Sequence, residues 1–157
     1  MSYIGIDPGE KESAIVIIFE NKIIDKCILM NHEVLDYLYI LILDNKDKIK
    51  KVAIEKMQNY GIVCGESIFQ TIFWSGRFYQ DLCDYGLEPH MITGDDIKIE
   101  LCDTKRIGDK EIRERLIQIY GKPGTKKQPG GTYGIKSHMW TALAVAHTLR
   151  VKSGRFI

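Results

Sequence analysis

Apolar residues open the chain in short blocks that read as strands. Residues 3–9 run Tyr3-Ile4-Gly5-Ile6-Asp7-Pro8-Gly9, a buried strand that stops on a carboxylate where proline and glycine turn the chain. Residues 13–19 and 23–30 are rich in β-branched and apolar side chains and are joined by a tight connection at Asn21-Lys22, which predicts a three-strand antiparallel meander. Val34, Leu35, Leu38, Leu41 and Ile42 then recur at helical spacing over 32–44, and the lysine-rich segment 45–51 reads as the solvated end of that helix. Val52-Ala53-Ile54 is a further buried strand, and it also finishes on a carboxylate, Glu55.

Further on, residues 61–65 read as a loop and 66–85 as a long helix closed by Gly86. Phe69, Ile72, Phe73, Gly76, Tyr79, Leu82 and Cys83 form its expected packed stripe. The pattern continues with a parallel strand over 88–93, a short helix over 95–101 and a helix over 109–120 stopped by Gly121. The last helix covers 137–151, with Ala142, Val145 and Leu149 on one stripe. Between these two helices, residues 122–134 hold four glycines, two prolines and three lysines, which predicts a mobile basic loop without regular structure. No internal repeat is visible. This succession gives an α/β fold, a mixed five-stranded sheet flanked by helices in the ribonuclease H-like arrangement. Ligands of such sheets gather at strand ends where the connection order switches.

Composition narrows the class. A chain of 157 residues, 45% hydrophobic and 27% charged, suits one domain over 1–157 with a real core. No apolar run approaches the roughly 18 residues that span a bilayer, and no signal segment opens the chain, so a soluble, intracellular protein without a membrane partner is expected. Cys27, Cys64, Cys83 and Cys102 form no CxxC pair and read as buried free thiols of a reducing compartment rather than a zinc site. The net charge of +1 hides an asymmetry: residues 1–97 carry a balance of −7, and residues 98–157 carry +8. The basic half suits a polyanionic partner, or a solvated helix surface with no partner.

Asp7 and Glu55 both end apolar strands that can lie side by side. Asp7 alone reads more readily as a turn-starting residue than as a functional carboxylate. As a pair of carboxylates at one sheet edge, the two call for a cation, and Mg²⁺ suits carboxylate oxygens and waters. His138, beside the expected helix start at Ser137, is a third candidate ligand or a plain exposed helix-start histidine; His90, His147 and His32 receive no role.

In order and spacing these segments resemble the RuvC-like Holliday junction resolvases, more closely their phage and prophage branch. Ile4-Gly5-Ile6-Asp7-Pro8-Gly9 is similar to the first family motif, Val52-Ala53-Ile54-Glu55-Lys56 to the second, and Ser137-His138-Met139-Trp140-Thr141-Ala142 to the start of the last helix. The likeness extends to Phe73-Trp74-Ser75-Gly76-Arg77 and to the basic loop around Gly124-Thr125-Lys126-Lys127.

That resemblance implies a metal-dependent endonuclease of DNA recombination and repair, cutting four-way junctions and other branched DNA as a homodimer in the cytoplasm of a bacterial host. Asp7, Glu55 and His138 are the implied catalytic and metal-binding residues, with Mg²⁺ the expected ion and Mn²⁺ accepted. The family pattern has a second acidic residue three positions after 138, and here Thr141 stands instead, leaving the site one negative charge short. Asp109 or Asp103 can supply it, although Asp109 is also a good helix cap.

Lys98, Lys105, Arg106, Lys110, Lys126, Lys127 and Lys136 are the expected phosphate contacts, Arg113 and Lys122 lie near them, and Tyr60 is a candidate for stacking on an unpaired base. The aromatic residues of the long helix suggest a dimer contact or ordinary core. Two alternatives stand beside the resolvase: a catalytically impaired branched-DNA-binding protein, and a ribonuclease H-like enzyme acting on RNA:DNA hybrids or flaps.

Overall fold

A computed structural model of the protein describes residues 1–154, without the side chains of Lys46 and Lys50. Strands β1 (Ser2–Asp7), β2 (Glu12–Phe19) and β3 (Lys22–Met30) form the antiparallel meander. Helix α1 (Asn31–Asn45) leads to β4 (Ile49–Lys56), which pairs parallel with β1. Helix α2 (Glu66–Asp84) leads to β5 (His90–Thr93), parallel to β4. The sheet is five-stranded in the order β3-β2-β1-β4-β5, and α3 (Gly94–Cys102), α4 (Asp109–Tyr120) and α5 (Met139–Gly154) complete the chain. It is the mixed α/β, ribonuclease H-like sheet the strand pattern predicts.

The sheet separates two cores. Ile4, Ile6, Ile15, Val52 and Ile54 pack with Val34, Leu38, Phe78 and Leu82 beneath α1 and α2. Ala14, Val16 and Ala53 pack with α5 on the other face. Every residue from Ala142 to Leu149 is buried, so α5 is enclosed on all sides rather than along one stripe. It approaches β1 at Gly5, where a Cβ would collide with the carbonyl oxygen of Ala142 and lie 2.6 Å from the Ala146 nitrogen.

Several expectations need correction. Segment 45–51 is not simply a helix end: a single 3-10 turn covers Lys46–Lys48, and β4 has begun by Ile49, which is buried opposite Ser2. Burial of that one isoleucine outweighs the lysines around it.

The first half of the expected α2 stripe faces outward, while Leu82 is buried as expected and Tyr79 and Cys83 are half-buried. Phe69 and Phe73 are both 58% exposed and Ile72 is 49% exposed, whereas Thr71, Ser75, Phe78 and Leu82 turn inward. Apolar spacing marks a coherent helix face but does not say what covers it. Gly86 (φ 80°) closes α2 as expected, with the amides of Leu87 and Gly86 donating to Leu82 and Cys83.

Helix α5 starts at Met139, because Ser137 adopts a left-handed conformation (φ 46°) instead of capping. Residues 122–134 are folded tightly: Thr125 and Gln128 exchange backbone hydrogen bonds of 3.0 and 3.1 Å, Gly130 N–H donates to Pro123, and the buried Thr132 hydroxyl donates to Gly121. The four cysteines are free but only half-buried.

Replacing Gly5 with alanine should force α5 away from β1 and cost ~3 kcal/mol of stability, read as a lower urea midpoint. Unchanged stability would mean that the close approach does not constrain the fold.

Candidate active site

Strand β1 delivers Asp7 to its carboxyl end, where the side chain is 5% exposed. The turn beyond it is held by a buried polar relay. Gly9 N–H donates to Ser13 Oγ at 3.1 Å, Ser13 donates to Asn31 Oδ1 at 2.6 Å, and Asn31 Nδ2 donates back to the Gly9 carbonyl at 3.0 Å. Sequence pattern alone assigns Ser13 and Asn31 no role; their signal is polarity at the ends of two otherwise apolar elements. Asp7 is therefore neither in a loose loop nor the residue that closes the turn.

The parallel register sets Ile6 beside Ile54, so Glu55 follows on β4 next to Asp7. The two carboxyl groups share a hydrogen bond, and each is pushed upward. Burial raises Asp7 to about 6 against the opposing effect of that bond. Burial, then the charge of Asp7, raises Glu55 to about 8. His138, on the turn leading into α5, closes the group: its Nδ1 lies 3.0 Å from Asp7 Oδ2, while the ring is 62% exposed. Its carbonyl accepts the first helical bond, from Ala142 N–H at 3.1 Å.

Two cavities meet at this edge. The larger, of about 620 Å³, is walled by Asp7, Glu55, His138 and Thr141 together with Ser67 and Thr71 of α2. The smaller, of about 150 Å³, lies between Glu55, Thr141, Asp109, Lys98, Arg113 and Trp140. Glu55 and Thr141 border both. Asp109 does not cap α4: Gly108 holds that position, and Glu111 accepts its amide at 3.0 Å. Asp109 is the first helical residue, and its charge is among the influences that raise Glu55. Asp103 instead ends α3 in a left-handed conformation (φ 56°). Among the described residues, no group of three or more Asp, Glu, His or Cys stands ready to hold a metal ion.

The basic residues divide into three settings. Lys98 lines the smaller cavity, and the Arg113 guanidinium lies 5.1 Å from the Trp140 ring centre. Lys105 is paired with Asp95 at 3.0 Å, so part of its charge is already spent. Arg106, Lys110, Lys126, Lys127 and Lys136 are exposed. Tyr60 is 62% exposed on the segment after β4, its hydroxyl donating to Gln58 at 2.7 Å; Gln58 also accepts from Asp95 N–H at 3.2 Å, which ties that segment to α3.

A carboxylate pair at the ends of adjacent parallel strands, on a sheet ordered β3-β2-β1-β4-β5, defines a ribonuclease H-like architecture. Within it, the fold is that of RuvC. Thermus thermophilus RuvC matches with a TM-score of 0.75 at 17% identity, covering 99% of this chain and 97% of that one. The same protein in complex with a Holliday junction substrate matches with 0.77 at 15% identity, covering 99% and 96%. At these identities the shared property is the fold. Neither a protein-family model nor a curated protein matches the sequence, and no described helix is long and apolar enough to cross a membrane.

Because both pKa values are raised by folding, the folded chain holds protons at Asp7 and Glu55 that the unfolded chain has released. Their stabilising contribution is complete below the ordinary carboxylate range and is lost as pH rises through about 6 and about 8. In EDTA, stability should fall between pH 5 and 8 by on the order of a few kcal/mol, and Glu55→Gln should flatten most of that slope. Urea titrations across this range check it, and a wild-type slope that Glu55→Gln leaves unchanged would refute the assignment.

Proposed function

We propose that the protein is a divalent-metal-dependent, structure-selective endonuclease that resolves four-way DNA junctions by phosphodiester hydrolysis. The observation that carries this reading is the Asp7–Glu55 pair, two carboxylates at adjacent strand ends whose proton affinity burial raises, with the charge of Asp7 raising Glu55 further. The fold is shared with a protein that has been seen with a Holliday junction substrate, and this supports the choice of DNA structure.

The donor set fits a hard divalent ion. Carboxylates driven toward protonation by burial and repulsion are stabilised as anions by a cation, and Mg²⁺ or Mn²⁺ accepts carboxylate oxygens with imidazole as a further ligand. Asp7 and Glu55 would hold it with His138. When bound, such an ion supplies Lewis acidity toward the phosphodiester and its attacking water. With Nδ1 protonated, His138 donates to Asp7 and fixes that carboxylate, leaving Nε2 as the available ligand atom. Lys98 and Arg113 stand beside Glu55 to offset charge that accumulates on the phosphoryl group.

Thr141 brings no charge, and Asp109 makes up for it from across the smaller cavity. Its side chain makes no hydrogen bond with any described residue, and its field already reaches Glu55. Asp7→Asn should reduce cleavage of a synthetic four-way junction by ~100-fold or more while sparing junction binding; cutting at the wild-type rate would end the assignment. Asp109→Asn should weaken Mn²⁺ affinity ~10-fold by calorimetry, with Thr141→Ala nearly neutral. The reverse ranking would return the role to Thr141.

The absent acidic residue also favours a second reading, a protein that binds branched DNA without cutting it. A panel of four-way, three-way and RNA:DNA hybrid substrates with Mg²⁺ and Mn²⁺ separates this from the resolvase and from a hybrid-directed nuclease.

We further propose a homodimer through α2. Phe69, Ile72, Phe73 and Gly76 present an exposed apolar face, beside a cavity of about 320 Å³ lined by Met57, Tyr79 and Met91. Phe73→Glu should convert a dimer to a monomer in analytical ultracentrifugation, and an unchanged sedimentation coefficient would place any dimer contact elsewhere.

A further inference from the structure

The face of β4 that ends on Glu55 has a second polar end. Lys51, Ala53 and Glu55 alternate onto the α5 side of the sheet, which puts Lys51 roughly 13 Å from Glu55 at the opposite sheet edge. His90 pairs with Ala53 at the start of β5. There Lys51, His90, Lys152 and Ser153 line a cavity of about 230 Å³ whose apolar wall is Ile92 and Leu149. Nothing in the strand-end site uses these residues.

We propose that this cleft binds a phosphate-type oxyanion. Ser153 is 6% exposed and lines the cavity, and its hydroxyl makes no hydrogen bond with any described residue, so that donor is open to a ligand there. Lys152 is held by Asp96, Nζ to Oδ1 at 2.6 Å, and an ammonium with three donors keeps others for a ligand.

Lys51 lies near enough to His90 to disfavour its protonation, second to burial, while Glu88 pulls weakly the other way. Both side chains line the same cavity. The carbonyl end of α5 is mildly unfavourable to an anion, and Lys51, with the part of the Lys152 charge that Asp96 leaves free, offsets it. The anion is either free phosphate or a phosphate of a nucleic-acid backbone; both present the same oxygens to lysine, histidine and serine donors.

The test uses the full chain in EDTA, so it does not depend on cleavage. Inorganic phosphate, titrated against sodium chloride of matched ionic strength, should raise the melting temperature of the wild type. Lys51→Gln and Ser153→Ala should each weaken the apparent phosphate affinity about tenfold, with His90→Gln as a further variant if either fails to fold. No wild-type response, or variants that respond like the wild type, would overturn the proposal.

Salt-dependent binding of a four-way junction then identifies the source. A slope reduced by about one phosphate in Lys51→Gln assigns the site to the DNA backbone, whereas an unchanged slope beside a lost phosphate response assigns it to free phosphate.

Discussion

The site depends on one steric constraint, the contact between α5 and β1 at Gly5. With no side chain there, the backbone of Ala142 and Ala146 lies directly on the strand. Asp7 is two residues along β1 from that contact, and His138 is four residues before Ala142, so the approach fixes both partners of the 3.0 Å Asp7–His138 bond. Small residues on the facing side of α5, Ala142 and Ala146, are what permit it. A larger residue at Gly5 or Ala146 would push α5 off the strand and lift the histidine away from the carboxylate without replacing either group.

What the contact assembles is electrostatically uncomfortable. Asp7 is buried and Glu55 half-buried, burial makes both harder to ionise, and the charge of Asp7 adds to that at Glu55. A folded chain tolerates this through His138, through the Ser13–Asn31–Gly9 relay that holds the turn, and through proton uptake. This is the pattern expected where stability is surrendered to keep charged groups together for chemistry. It also explains how Thr141 can be tolerated: another carboxylate in the same place would deepen the repulsion, whereas Asp109 reaches Glu55 from an exposed helix start.

Much of this was legible in the sequence because strand periodicity and chain direction fix where a strand-end residue goes. Ile4-Gly5-Ile6-Asp7 and Val52-Ala53-Ile54-Glu55 are apolar runs ending in a carboxylate, and parallel pairing makes those ends coincide. His138 was harder, since its position depends on the left-handed Ser137, which no local pattern announces. Asn31 and Ser13 were not legible, because each is a common residue whose role exists only once the β2 start and the α1 start meet. The tight hairpin hidden in 122–134 was obscured by its own glycines: at Gly130 and Gly131 a Cβ would strike the carbonyls of Lys122 and Tyr120, so the composition that suggested mobility is a packing requirement.

The outward stripe of α2 is the most instructive disagreement, because its reason lies in the inner face. Thr71 and Ser75 occupy positions where a purely core-packed helix would place leucine or phenylalanine, and Ser67 and Thr71 wall the larger cavity beside Asp7. A helix whose first turns face a polar cavity cannot also bury its aromatic residues there. Phe69 and Phe73 lie instead on the exposed face. One helix thus borders the carboxylates with its polar side and offers Phe69 and Phe73 with the other, so in the proposed dimer the separation of the two sites is set by the thickness of paired α2 helices.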